Sequence, residues 1–243
     1  MKRKTVLITG ASRGIGRAIA LQFMTGDYNL ILNCFKNIEL LENLKQLAAQ
    51  KNIPCLCYAG DMGDYTNVEE LFSLARSNFG GVDILINNAG ISYIGLITDM
   101  SLEDWHTILQ TNLSSAFYCS KLATPYMVGN KYGKIINISS VWGGVGASME
   151  VAYSTTKGAM NAMTKALAKE LAPSNVQVNA IACGAIDTEM NDFLEEEDLA
   201  ALISEIPSDR LGRPEEVAEL VLQLCEGPSY LTGQIIGLDG GWI

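Results

Sequence analysis

The chain has 243 residues, enough for one large domain with a substantial core. Hydrophobic residues make up 48% of it and charged residues 18%, the balance of a globular chain rather than a disordered one. The net charge of −10 argues against nucleic acid as a partner, because phosphate binding needs a basic face, and no apolar run reaches the length of a membrane span.

The opening Met1-Lys2-Arg3-Lys4 runs directly into a short strand with no apolar core or cleavage site behind it. The expectation is a single cytoplasmic domain over 1–243 without a signal peptide. Six cysteines, at 34, 55, 57, 119, 183 and 225, fall mostly within apolar strand or helix patterns and read as buried free thiols. Cys55 and Cys57 share a strand face but have no His or further Cys pair near them in sequence. The single His106 reads as a helix-surface residue, so no metal site is expected.

Residues 5–9 form a β-branched and apolar run, read as the first strand. Gly10-Ala11-Ser12-Arg13-Gly14-Ile15-Gly16 follows, and a helical pattern continues to Met24. Strand, glycine turn and helix in this order suit a dinucleotide: Gly10 allows the tight turn, and Gly14 and Gly16 allow close approach of backbone, pyrophosphate and helix. The second strand, 29–34, ends about 20 residues beyond the turn, where a carboxylate would bind a ribose 2′-hydroxyl. This chain has Asn33, Cys34, Phe35 and Lys36 there. Arg13 and Lys36 could instead receive a 2′-phosphate, so NADP(H) is expected over NAD(H), although each base would equally serve as a solvated surface charge.

A helix over 38–50 and a strand over 53–58 lead to Gly60-Asp61-Met62. Asp61 is placed to meet an adenine amine or to cap the next helix, a task for which Asp64 is the better candidate. The helix over 64–78 precedes the fourth strand, 82–87, which ends in Asn87-Asn88-Ala89-Gly90. Those small residues and amides would lie against a cofactor. Residues 101–128 read as one capped helical region, with Ser101 and Asp104 as a capping box. Asn112 sits in its middle against helix propensity, and such a local misfit points to function.

The fifth strand, 133–139, meets a glycine-rich loop and then a long helix to about residue 172. On that helix Tyr153 and Lys157 sit at i and i+4, on one face. A lysine ammonium beside a phenol is expected to pull the tyrosine pKa down from about 10, which would suit a general acid/base. Ser140, at the strand end, could hold a carbonyl oxygen next to the phenol. The pair also occurs by chance on many helices. A sixth strand spans 175–181. Residues 187–209 then hold nine acids, with one base through Arg210, and are expected to form a mobile helical lid. A helix over 215–225 and a strand over 235–238 end the pattern. Alternating strands and helices imply an α/β, Rossmann-type three-layer sandwich with a central seven-stranded parallel sheet in the order 3-2-1-4-5-6-7. The suspect groups, Gly184 among them, fall just after strands.

Together Thr9 to Gly16, Asn87-Asn88-Ala89-Gly90, Asn112, Ser140 and Tyr153-x-x-x-Lys157 resemble the short-chain dehydrogenase/reductase family over essentially the whole chain. The resemblance implies Tyr153 as proton donor, Lys157 as pKa tuner and ribose holder, Ser140 as carbonyl orienter and Asn112 as holder of a relay water. It also implies cofactor contacts at Asn87, Ala89, Gly90, Ile186 and Thr188, beside those at Ser12, Ile15, Asn33, Asp61 and Met62. Within the family the chain looks like the bacterial 3-oxoacyl-acyl-carrier-protein reductases, which implies a homotetramer with the two long helices at one interface. Lys131 matches one carrier-docking base of that branch, while Ser174 stands where a second is expected. Cys183-Gly184 replaces its usual Pro-Gly. The stretch from Trp142 to Tyr153 is similar instead to reductases of a 5-aminopentanone group on elongation factor P. Glu150, three residues before Tyr153, would suit that substrate's ammonium or would simply be solvated.

Overall fold

A computed structural model of the chain describes residues 3–191 and 195–243. Seven parallel strands, β1 (Lys4–Ile8), β2 (Tyr28–Cys34), β3 (Cys55–Ala59), β4 (Ile84–Asn87), β5 (Gly133–Ser140), β6 (Val176–Cys183) and β7 (Ile235–Leu238), form one sheet in the order β3-β2-β1-β4-β5-β6-β7. This is the expected topology. The helices are α1 (Gly14–Gln22), α2 (Ile38–Gln50), α3 (Tyr65–Phe79), α4 (Leu102–Leu109), α5 (Ser115–Asn130), α6 (Trp142–Val145), α7 (Val151–Leu171), α8 (Glu196–Glu205) and α9 (Pro214–Glu226). Every residue of β2, β5 and β6 is buried, because helices cover both sheet faces. One apolar cluster joins the sheet to α1, α2 and α9 through Ile19, Leu44 and Val221. The other joins it to α3, α5 and α7 through Leu71, Cys119 and Ala168. Those are the outer layers of the sandwich.

Local chemistry sets several boundaries. Asp64 caps α3, its carboxylate accepting from the Thr66 N–H at 2.9 Å. The Ser101 hydroxyl accepts from the Asp104 N–H at 3.0 Å, and it donates to the Asp104 carboxylate at 2.6 Å. Asp104, one methylene shorter than Glu, thus bonds the cap side chain rather than reaching back to the cap's own N–H. The third strand begins at Cys55 rather than residue 53, because Ile53 turns into the core after α2.

Three expectations about elements are corrected. The single helix over 101–128 is broken into α4, a π turn at Gln110–Ser114 and α5, and Asn112 lies in the π turn. The glycine-rich loop after β5 contains the one-turn helix α6. The lid segment is helical only in part: a 3₁₀ turn at Glu189–Asn191 and α8, none of whose described side chains is buried. The lid reading extends over residues 192–194, which lie outside the described residues. The segment's ends are pinned: Ile186 and Gly212 form a β-bridge, and Ser208 donates twice to the Gly240 carbonyl, at 3.1 and 2.9 Å. All six cysteines are free, Cys55 and Cys57 part-exposed and the other four buried. His106 is exposed on α4. Among the described residues no group could hold a metal ion, and no helix is long and apolar enough to cross a membrane.

Candidate active site

The carboxyl ends of β1 and β4 are tied to each other before any ligand is considered. The Thr9 hydroxyl oxygen accepts from the Asn88 and Ala89 N–H groups, both at 3.0 Å. The Asn88 amide donates to the Thr9 carbonyl at 2.9 Å and the Gly10 carbonyl at 3.0 Å. A Cβ on Gly16 would run into the Gly10 carbonyl, and one on Gly10, where φ is +64°, would lie 2.9 Å from the Ala89 Cα. These two glycines therefore serve the protein's own backbone packing, which spacing alone cannot distinguish from room for pyrophosphate. Ile15 packs on the adjoining core, and Ser12 is buried beneath exposed Arg13.

Several cofactor candidates turn out to be committed elsewhere. The Asn33 amide donates to the Cys34, Tyr58 and Gly60 carbonyls at 3.1, 3.3 and 2.9 Å, clipping β2 to β3 rather than offering itself to a ribose. Met62 is buried in the core, so only its backbone borders the edge. Asn87 turns its amide inward, donating to the Asn137 side chain at 2.8 Å and the Ser120 hydroxyl at 3.2 Å, because β4 alternates and α5 covers that face. A Cβ on Gly184 would stand 2.8 Å from the Asp239 Cα, so that glycine lets the end of β7 approach. Ile186 is buried, its carbonyl accepting from the Asn191 amide at 2.7 Å. Asp61 accepts from the Gly63 N–H at 2.8 Å and leaves the cap to Asp64. Thr188 lies against Gly14.

Asn112, Ser140, Tyr153 and Lys157 do converge. Ser140 ends β5, and its hydroxyl is hydrogen-bonded to the Tyr153 phenol. The Lys157 ammonium, on buried α7 surface, donates to the Ile138 carbonyl at 2.8 Å and sits 5.5 Å from the centroid of the Tyr153 ring. The Asn112 side chain accepts from the Ile91 N–H at 2.8 Å and donates to the Ile91 carbonyl at 2.9 Å and the Thr156 hydroxyl at 3.2 Å. It staples the π turn to the loop after β4 and to α7. In this geometry it is a positioning residue, both its amide hydrogens being used within the protein.

The expected lowering of the Tyr153 pKa is corrected. Burial of the phenol is the largest influence and pushes the pKa up, the Ser140 hydrogen bond opposing it. Tyr153 keeps some accessible surface, but its hydroxyl end is crowded by protein, and that end titrates. Burial also drives Lys157 down to about 8, with the neighbouring Cys183 opposing. The Cys183 thiol itself is pushed up to about 12 by burial, so it is not a thiolate at neutral pH.

Beside the phenol, Glu150 is half-buried. Burial raises its pKa, while hydrogen bonds from the Ser92 hydroxyl, at 3.0 Å, and the Trp142 side chain oppose the rise. No cation pairs with it among the described residues. Trp142 in turn meets Trp242 edge-on, ring centroids 4.8 Å apart. Sequence reasoning missed Ser92 and Trp242. Ser92 lies two residues past the Asn87–Gly90 signal, and Trp242 lies past the last strand in a stretch with no periodicity. Exposed Ile91, Val145, Met149 and Val151 make the surrounding rim apolar.

A nicotinamide dinucleotide fits this edge. A Cβ on Gly90 would lie 3.5 Å from Asn112 Oδ1 and 3.6 Å from Lys157 Nζ, ordinary contact distances, so the backbone at Gly90 passes directly in front of both side chains. Arg13 and Lys36 are exposed and without ion pairs among the described residues. Between α1 and α2, a cavity of about 600 Å³ adjoins the turn, lined by Ser12, Arg13, Arg17, Leu44, Thr188 and Glu189 among others.

Comparison with known proteins agrees. Residues 4–199 match the family described as short chain dehydrogenase. The oxidoreductase YmfI of Bacillus subtilis, itself uncharacterized, is 39% identical, with 98% of each chain covered. A 3-oxoacyl-[acyl-carrier-protein] reductase FabG of Staphylococcus aureus is 37% identical over 98% of this chain and 97% of its own. The crystal structure of YwfH, an NADPH dependent reductase involved in bacilysin biosynthesis, superposes with a TM-score of 0.93 at 29% identity, covering 99% of this chain and 98% of that one.

Proposed function

The chain belongs to the short chain dehydrogenase family of oxidoreductases, which bind a nicotinamide dinucleotide, and we propose that it uses NADPH to reduce a ketone to a secondary alcohol, its substrates being 3-oxoacyl thioesters of acyl carrier protein. The convergence of Ser140, Tyr153 and Lys157 at the carboxyl end of β5 carries the reading. The cofactor would supply the hydride. Ser140 holds the carbonyl oxygen against the phenol. Tyr153, kept protonated by burial, donates its proton to that oxygen. A secondary alkoxide is a far stronger base than a phenolate, so even an elevated phenol pKa leaves the transfer downhill. The Lys157 ammonium then faces the phenolate left behind. Arg13 and Lys36, with no carboxylate at the end of β2, favour the 2′-phosphate of NADPH.

The apolar rim suits an acyl chain. Lys131 and Ser174 lie at the opposite end of the sheet from Ser140, next to each other through the Asn175 amide, which donates to the Lys131 carbonyl at 3.0 Å. A docking role for Lys131 therefore requires the site of another subunit. The proposed homotetramer would provide one, and exposed Phe117 and Val128 on α5 would be covered by it.

Glu150 favours a second reading, the 5-aminopentanone group on elongation factor P. An unpaired, half-buried carboxylate three residues from the proton donor suits a substrate ammonium, and a thioester gives it nothing to bind. The test is NADPH oxidation against both substrates by wild type and Glu150→Gln. For a thioester reductase, Glu150→Gln changes turnover by less than about threefold, as expected for a residue outside the reacting contacts. For an aminopentanone reductase, the variant loses about tenfold or more, mainly through KM, as one charge-assisted contact disappears. Burial already penalises the Glu150 carboxylate, so the neutral variant should unfold no more easily than wild type. A lower Kd for NADH than for NADPH overturns the cofactor assignment.

A further inference from the structure

The chain leaves β5 at Ser140, and the Val141 N–H still donates to the Cys183 carbonyl at 3.0 Å, so Trp142 is the first residue beyond the hold of the sheet. It opens α6, a single turn with too few internal hydrogen bonds to hold itself. Its backbone bears on the site directly: the Trp142 N–H donates to the Ser140 hydroxyl oxygen at 3.2 Å. That bond occupies one lone pair of the oxygen and turns the hydroxyl proton away from α6. Gly143 lies against the α7 backbone and has no side chain to contribute, which leaves the Trp142 indole as the anchor of the turn. The indole is held at two points, by its hydrogen bond to Glu150 and by its edge-on contact with Trp242. Trp242 arrives from two strands away. Leu238, Cys183 and Ser140 end β7, β6 and β5 in register, and Gly240 and Gly241, at φ +69° and +83°, then turn the tail. The tail is itself fixed. The Gly241 N–H donates to the Asp239 carboxylate at 2.9 Å, and the two bonds from Ser208 reach the Gly240 carbonyl. A Cβ on Gly240 would lie 2.9 Å from Cγ2 of buried Ile206, so the tail is seated on the end of the lid segment as well.

We propose that Trp242 is a positioning residue for ketone reduction: through its edge-on contact it fixes Trp142, and with it the backbone N–H that orients the Ser140 hydroxyl. The inference takes its kinetic consequence from the reductase reading of the site. An edge-on pair of rings is stabilised beyond the area it buries, so its loss frees the turn at α6. The strand is held independently, because β5 pairs with β6 along its whole length. What the tail governs is therefore the partner of the Ser140 hydroxyl, not the placement of β5. Phenylalanine at 242 keeps a ring to meet Trp142, and alanine removes it.

The experiment joins amide hydrogen exchange to NADPH oxidation, on whichever of the two proposed ketones wild type reduces, in Trp242→Ala, Trp242→Phe, Trp142→Ala and the double alanine variant. In Trp242→Ala the Trp142, Gly144 and Gly146 amides, all hydrogen-bonded in the wild type, are expected to exchange about fivefold or more faster, while those of β5 and α7 keep their protection. kcat is expected to fall by about fivefold or more, with the NADPH Kd within about twofold of wild type. Trp242→Phe is expected to return exchange and kcat to within about twofold. The double variant is expected to be no slower than Trp142→Ala, because both changes act through one contact. Unchanged exchange at these three amides in Trp242→Ala overturns the proposal, as does faster exchange with unchanged kcat. Losses that add in the double variant overturn it too, and so does protection lost across the whole sheet, which would make the tail a support of the fold. A wild type that reduces neither ketone overturns the reductase reading, and the exchange data then decide the contact's role by themselves.

Discussion

Tyr153→Phe should abolish ketone reduction while leaving NADPH binding within about twofold of wild type. The phenol is hydrogen-bonded to the Ser140 hydroxyl, and its ring lies beside the Lys157 ammonium. Removing the phenol oxygen deletes the proton donor and leaves the ring to fill the same space. General acid catalysis is worth roughly 10² to 10⁴ in rate, so kcat should fall by about that range with KM little changed. The structure adds a condition the sequence could not supply. Because burial keeps Tyr153 protonated, the reductive rate should show no acidic or neutral limb belonging to this residue. Single-turnover NADPH oxidation across pH, with NADPH binding measured separately by calorimetry, checks both points. Retained turnover in the Phe variant would remove Tyr153 from the acid's role. Lost binding would instead show that the ring itself builds the cofactor site.

The sheet order and the location of the site were legible because they follow from strong, local signals. Buried parallel strands read as apolar runs, and most are closed by a Gly, Asn or Ser exit such as Thr9-Gly10 or Ser139-Ser140. Asn112 was legible as a misfit, but not the reason for it: a π turn arises from tertiary packing, and the Ile91 backbone that Asn112 holds lies 21 residues away. The inward turn of Asn87 was hidden for a similar reason. A motif places a residue after a strand, but the pleat and the helix layer above decide which way the side chain points. The pKa of Tyr153 was misjudged because i and i+4 spacing speaks to proximity and not to burial. The lysine answers a backbone carbonyl, and desolvation outweighs it. Trp242 and Ser92 became visible only when the chain closed around Glu150.

Lys157→Met should lose activity and gain stability. The folded protein holds Lys157 at about 8 against its ordinary 10.5, burial being the larger cause. At neutral pH, below both values, the ammonium is charged folded and unfolded, and the native state carries the whole cost of burying it. That difference corresponds to about 3 kcal/mol, to be read as an order of magnitude. Between about 8 and 10.5 the native state releases the proton while the unfolded chain keeps it, so wild-type stability rises with pH across that window. Methionine is uncharged and of similar length. It gives up the hydrogen bond to the Ile138 carbonyl, worth about 1 kcal/mol, but also the desolvation cost. The net expectation is a variant more stable by about 1 to 2 kcal/mol at pH 7, whose stability no longer rises above pH 8. Reduction should fall by about 10² or more, since no ammonium remains to face the Tyr153 phenolate. In wild type the same charge is lost as pH rises through about 8, so kcat should decline there, and the decline should be missing from whatever residual rate the Met variant retains. Urea unfolding at pH 7 and 9.5, together with the two pH profiles, measures each part. A Met variant less stable than wild type at pH 7 would mean that the ammonium's contacts outweigh its burial, and that Lys157 holds the fold as well as the reaction.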